Sequence, residues 1–269
     1  MDSAELQTFY SRPLEAILSD SRGPEAHAAL LEALETGRVR AALRREDGAW
    51  EAQSWVKAAI LAGFRATDLV ELPGAWGPAF DRAAFPPRPF TAAEGVRLVP
   101  GGSAVRRGAF VAPGVVLMPP AYVNVGAFVD AGTMVDSHAL VGSCAQIGRR
   151  VHLSAGAQVG GVLEPAGARP VVVEDEAFVG GLCGLFEGVV VRRRAVLAPG
   201  VLLTGSTLIH DLVHGGTLRG EVPEGAVVVP GSRPASGPHG QGIQLYAPCI
   251  VKLRDARTNA ATALEGALR

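Results

Sequence analysis

Asp136 and His138 stand two residues apart in the run Met-Val-Asp-Ser-His, a carboxylate beside an imidazole. An imidazole ordinarily titrates near neutral pH, so such a ring can take a proton from an attacking nucleophile and pass it on. The acid could orient that ring or couple to its charge. His152, His210, His214 and His239 are weaker candidates for the same role. Cys183 is a nucleophile by type, yet no partner base is visible beside it. Groups suited to phosphate are Arg192, Arg193 and Arg194, and Lys252 and Arg254 near the C-terminal end. A charge run of this kind is more often a solvated face. Read alone, Arg97 is a surface charge and Asp136 a routine turn acid.

Metal and disulfide chemistry find little support. Cys144, Cys183 and Cys249 are odd in number and form no CxxC pair, which points to reduced thiols. No cluster of His, Asp and Cys has ligand spacing, so no metal is expected. Lys plus Arg is 25 against 26 for Asp plus Glu, a balance that suggests neither nucleic acid nor an anionic membrane as partner. A signal peptide and a long apolar run are both missing, so a cytoplasmic, soluble protein is expected.

The scaffold that positions these groups is written in a beat of six. Val105, Val111, Leu117, Val123, Val129, Val135, Val141, Ile147, Leu153 and Val159 fall on every sixth position. The beat resumes at Val173, Val179, Leu185, Val191, Leu197, Leu203 and Ile209, and briefly at Val222 and Val228. Four residues after a beat comes a small or β-branched residue, such as Ala127, Thr133, Ala139, Ala145, Val151 or Ala157. A helix needs apolar residues at three and four, and a half-buried strand needs strict alternation. A six-residue period is the signature of a parallel β-helix, with roughly 18 residues closing one triangular coil. The beat residue would point inward, and the small one would fit where the interior narrows. A β-sandwich would place its turns at irregular intervals instead.

The 269 residues divide accordingly. Residues 1–98 are expected to form an N-terminal helical domain and linker, 99–232 the β-helix, and 233–269 a capping tail. Within the first, Pro24 opens one amphipathic helix and Trp55–Phe64 forms another, making 1–65 helical, while Pro86, Pro87 and Pro89 argue against regular structure over 66–98. The tail is read as one strand, Ile243–Leu253, and a short helix, Thr258–Leu268. From Gly160 to Val172 the beat breaks, so this segment should leave the coil as a loop, where binding residues gather.

Several blocks resemble the tetrahydrodipicolinate N-succinyltransferase family. They are Gly-Thr-Met-Val-Asp (132–136), Val-Gly-Ser-Cys-Ala-Gln-Ile-Gly (141–148), Val-His-Leu-Ser (151–154) and Gly-Gly-Val-Leu-Glu-Pro (160–165). Trp55–Arg65, Val96–Pro100 and Tyr246–Lys252 extend the likeness over nearly the whole chain. The resemblance implies a left-handed coil, a homotrimer with sites in the clefts between prisms, and a role in lysine and diaminopimelate synthesis. The implied reaction is succinyl transfer from succinyl-CoA to the amino group of ring-opened tetrahydrodipicolinate. No tightly bound cofactor is implied; succinyl-CoA or another acyl-CoA enters as co-substrate. Arg97 matches a carboxylate clamp and Asp136 an aspartate near the substrate amine.

Two positions depart from that pattern. After Phe178-Val-Gly180 the family carries an arginine, a serine and an acid, the last thought to be the base. Here the residues are Gly181-Leu-Cys-Gly184, so the acid is Gly184. The family's tryptophan two residues after the aspartate is His138. Three readings stay open: His138 has become the base, the pocket takes another amino-acid-like amine, or the chain is a non-catalytic trimeric binding protein.

Overall fold

The computed structural model describes residues 1–72 and 78–255. It is mainly β, and its core is a three-sided coil of two-residue strands. Each side is a parallel sheet, and we name the sides by their central strands. The Met134 face holds Arg97–Leu98, Val116–Leu117, Met134–Val135, His152–Leu153, Phe178–Val179 and Val196–Leu197. The Leu140 face runs from Ala104–Val105 to Leu202–Leu203, and the Gln146 face from Phe110–Val111 to Glu221–Val222. Successive rungs pair with an 18-residue offset, Phe128 against Gln146 and Leu140 against Gln158.

The beat residue is the second of each strand, and its side chain is interior. Val123, Val129, Val135, Val141, Ile147 and Leu153 are all fully buried. Each such burial contributes roughly 1.5–3 kcal/mol before entropy is counted. Thr133 is the polar intruder, and its hydroxyl is satisfied twice: it donates to the Gly148 carbonyl at 2.7 Å and accepts from the Val151 N–H at 3.0 Å. The step from Val159 to Val173 is 14 residues, where successive strands elsewhere from Val105 to Leu203 are six apart. Val159 and Val173 end successive strands, so no strand forms between them and residues 160–171 replace one ordinary corner.

Four helices, α1 (Ser3–Tyr10), α2 (Leu14–Leu18), α3 (Gly23–Glu35) and α4 (Ser54–Ala66), form a second core around Leu6, Leu30 and Ile60. Val125 and Cys144, from corners of the coil, belong to the same cluster and join the two cores. Between α3 and α4 the expectation of helix fails. An antiparallel hairpin, β1 (Ala42–Arg44) and β2 (Trp50–Ala52), turns at Asp47-Gly48, where Gly48 has φ 82°. Asp-Gly is a strong hairpin signal, because Gly adopts a positive φ without a Cβ penalty.

The proline-punctuated linker also contains a hairpin, Leu69–Leu72 against Ala79–Arg82. The step of the beat at Ile209 does not continue the coil, although Val222 and Val228 return to it. Leu208–Asp211 instead joins the sheet of the Met134 face beyond Cys249–Leu253, which inserts between it and Ala226–Val229. The single tail strand expected from the sequence is two. Gln244–Tyr246 pairs with Ser232–Pro234, and Pro248, which has no N–H to give, stands before Cys249–Leu253. The helix expected at 258–268 lies outside the described residues.

Glu174 ties the hairpin to the coil. Its carboxylate accepts from Trp50 Nε1 at 2.9 Å, Arg192 Nη1 at 2.9 Å and the Arg193 N–H at 3.1 Å. Burial opposes the charge, but these hydrogen bonds outweigh it and hold the carboxyl below its ordinary value of 4.5. Because the folded value is depressed, the stabilisation is present above the unfolded value and lost as pH falls through the folded one. Glu174→Gln is expected to cost about 3 kcal/mol in neutral-pH urea denaturation, the scale for breaking a buried ion pair. The deficit should shrink as the pH is taken below 4.5; a constant deficit would mean the charge is not what matters.

Candidate active site

The corner that follows the Met134 face carries the candidate groups. Asp136 closes one strand, and His138 sits in the turn to the next with φ 61°. One residue per rung occupies this turn position. The order is His138, Gly156, Leu182 and Gly200, so two glycines alternate with two residues that bear a Cβ. A left-handed conformation costs such a residue roughly 1–2 kcal/mol. His138 is held there from both sides: its N–H donates to the Pro120 carbonyl at 2.5 Å, and its carbonyl accepts from Gln158 Nε2 at 3.0 Å. The ring side is exposed. Gln158 therefore supports the site; sequence reasoning passed over it, the only signal being a polar residue just before the beat residue Val159.

Asp136 and His138 do not form the coupled pair that their spacing suggests. Asp136 Oδ1 instead accepts from the Ser137 N–H at 2.7 Å, and no ion pair joins the two side chains. The short carboxylate thus caps its own turn. The carboxylate–imidazole ion pair among the described residues is Asp211–His214, at 3.1 Å on an exposed hairpin. Arg97 is exposed on the same face, two strands from Met134, which is roughly 10 Å at ordinary strand spacing. Its guanidinium makes no hydrogen bond or ion pair among the described residues.

Lys252 and Arg254 lie elsewhere along the coil. Lys252 is in the strand five steps from Met134–Val135, roughly 24 Å along the axis. Arg254 faces the corner beyond the Gln146 face, where Nη1 lies 3.4 Å from the Glu176 carbonyl and 3.5 Å from that of Arg194. Arg192 and Arg193 are engaged by Glu221, Glu174 and Glu176. Cys183 is fully buried, its thiol donates to the Ala198 carbonyl at 3.1 Å, and burial pushes it up to about 11. It is no nucleophile at neutral pH. Among the described residues no group of His, Cys, Asp and Glu could hold a metal ion, and no helix is long and apolar enough to cross a membrane.

Comparison with known proteins places this geometry. Residues 15–66 match the family model described as tetrahydrodipicolinate N-succinyltransferase N-terminal. The 2,3,4,5-tetrahydropyridine-2,6-dicarboxylate N-succinyltransferase of Polynucleobacter asymbioticus is 47% identical over 90% of this chain and 88% of that protein. The enzyme of that name from Maricaulis maris is 48% identical over 95% and 94%, and that from Nitrobacter winogradskyi 44% identical over the whole of both chains. The chain belongs to the tetrahydrodipicolinate N-succinyltransferase family. As a member it is an acyltransferase.

Against that family the structure shows what a side chain at Gly184 would have to displace. A Cβ there would meet the Phe186 ring at 2.6 Å and Leu202 Cδ2 at 2.9 Å. The same ring lies 2.7 Å from a Cβ built on Gly160. Phe186 thus fills the space into which an acid at position 184 would project. Leu182 bends over Gly156 in the neighbouring corner, 2.7 Å from a Cβ placed there. Leu182, Phe186 and Leu202 are all exposed, so this wall is apolar. Gly184→Glu alone is therefore expected to lose about 1–3 kcal/mol by overpacking and to gain no turnover. The double variant Gly184→Glu/Phe186→Ala frees the space. A rise in kcat of the double variant well above wild type would transfer the base role to a carboxylate.

The loop 160–171 is fastened to both cores. Leu163 packs on the helical cluster, and Lys57 of α4, fully buried, donates from Nζ to the Ala168 carbonyl. Burial lowers the Lys57 pKa, and no carboxylate pairs with it among the described residues. Replacing such a cation by an apolar group of like volume changes stability little. Lys57→Met is expected to melt within a few degrees of wild type while amide exchange in 160–171 accelerates. Unchanged exchange would show that the other anchors suffice.

Proposed function

We propose that the protein transfers the succinyl group of succinyl-CoA to the amino group of 2-amino-6-oxopimelate, the ring-opened form of tetrahydrodipicolinate, in diaminopimelate and lysine synthesis. The observation that carries this reading is one face of the coil. It presents an unpaired guanidinium, Arg97, and two strands on the Asp136–His138 corner, in a chain alignable end to end with N-succinyltransferases.

The chemistry follows from those groups. Arg97 offers paired N–H donors to a substrate carboxylate. The open oxygen of Asp136 attracts the amine. As nitrogen attacks the thioester carbon, the C–N bond forms and the ammonium proton passes to His138. The C–S bond then breaks, and the imidazolium returns the proton to the departing thiolate. Products are the N-succinyl amide and CoA thiol. Acyl-CoA is elongated, with its phosphates remote from the thioester, and Lys252 and Arg254 are the cations we assign to that distant end. The left-handed winding, the homotrimer with clefts between prisms, and a cytoplasmic location belong to the same proposal.

The test is CoA–thiol release by the purified protein with succinyl-CoA and either tetrahydrodipicolinate or 2-aminopimelate, run beside acetyl-CoA. Turnover dependent on both substrates, and faster with the succinyl donor, is expected. Bound acyl-CoA without thiol release would overturn the reading.

A further inference from the structure

A polar cavity lies on a different side of the coil from the candidate active site. Where β1 and β2 rest on the Gln146 face they enclose about 120 Å³, bordered by Arg40, Trp50, Asp130, Gln146, Glu174 and Asp175 among others. At about 30 Å³ per water this is room for roughly four waters.

Arg40 is fixed but unmatched. Its guanidinium carbon lies 3.6 Å from the Phe128 ring centre and 5.6 Å from that of Trp50. Nε donates to Gln146 Oε1 at 3.0 Å, and the buried Gln146 is itself pinned by donating to the Cys144 and Ala145 carbonyls. The terminal nitrogens make no hydrogen bond or ion pair among the described residues. A stacked guanidinium with its outer edge open is pre-organised for a carboxylate.

The carboxylates around it have different amounts of spare capacity. Glu174 is saturated by Trp50, Arg192 and Arg193. Asp130 gives Oδ1 to its own turn and Oδ2 to Arg149 Nε at 3.3 Å. Asp175 uses Oδ1 for the Arg149 N–H at 2.8 Å, and Oδ2 has no partner among the described residues. Asp130 and Asp175 are close enough to support the charge on Arg40 against burial. A purely structural ion network would close these ends on each other. Here an open cation edge and an open carboxylate oxygen border one small cavity.

We propose that this cavity binds a small α-amino acid as its zwitterion, the carboxylate on the outer edge of Arg40 and the ammonium on Asp175. The site lies on another face from Arg97, Asp136 and His138, so it does not depend on the acceptor reading.

Isothermal titration of the full-length protein, without acyl-CoA, tests the assignment with glycine, L-alanine and L-lysine at millimolar concentration. Acetate and ethylamine serve as half-ligands. Binding of at least one amino acid is expected, with both half-ligands about tenfold weaker or more, the factor carried by a lost charge-assisted hydrogen bond. Asp175→Asn, which keeps the shape, and Arg40→Lys, which keeps the charge but not the paired donors, should each weaken it by a similar factor. Arg97→Met should leave it unchanged. No heat with any amino acid, equal affinity in Asp175→Asn, or loss of binding in Arg97→Met would overturn the proposal, the last by moving the ligand to the acceptor site.

Discussion

Replacing His138 with alanine is expected to lower kcat by about 10²–10⁴-fold, the range for a lost general base. The substitution leaves the tethers intact, because both hydrogen bonds that hold the residue are made by its backbone N–H and carbonyl. The KM for acyl-CoA should therefore move little. His138→Gly separates catalysis from folding. It removes the ring and relieves the left-handed strain at φ 61°, so turnover should fall as far while stability does not. Steady-state thiol release and urea denaturation of both variants read the two effects. Near-normal turnover in His138→Ala would remove the imidazole from the mechanism.

Gly142→Ala is expected to be the most damaging of the small substitutions. A Cβ there would lie 2.2 Å from the Gly161 nitrogen and 2.6 Å from both the Gly160 carbonyl carbon and Gly161 Cα. All three are backbone atoms at the root of the 160–171 loop, so no flexible side chain can yield. The loop must shift, and its contacts through Leu163, Ala168 and Arg169 go with it. A loss of about 3 kcal/mol or more follows from a clash of this kind. For a chain of this size that corresponds to roughly 6–12 °C in Tm. Gly167→Ala is the matched control, since nothing lies within 4 Å of its Cβ; it should melt with wild type. Equal melting of both variants would show that the crossing of Gly142 and Gly161 is not tight in solution.

The coil was legible because its signal is local. Each beat residue reports its own burial, and three hexads return the chain to the same face wherever the pattern holds. The hairpin at β1–β2 was missed although Asp47-Gly48 announced it, because the apolar helix patterns on either side dominated the reading. Insertion of Cys249–Leu253 between two earlier strands could not be read, since nothing in a strand names a partner from distant sequence. In the candidate site, residue type drew attention to His138 and only the family resemblance to Arg97, and the structure leaves both side chains exposed. Between Asp136 and His138 no hydrogen bond or ion pair forms, and one carboxylate oxygen is taken by the next N–H. Phe186 escaped notice because an aromatic at an outward position is unremarkable until the space over Gly160 and Gly184 is seen to be filled by it.

The way residues 160–171 leave the coil and return to it without disturbing the rungs has a consequence for how this molecule can change in length. Gln146 pairs with Val172 as regularly as Phe128 pairs with Gln146, so added residues at a corner leave every face in phase. Six residues gained within the coil would do the opposite, rotating all that follows by one face and parting the Asp136–His138 corner from Arg97 if they fell between them. Eighteen would restore the phase and lengthen the distance to Lys252 by one rung. Lineages of this fold are thus free to vary their corners continuously and their spans only in whole turns.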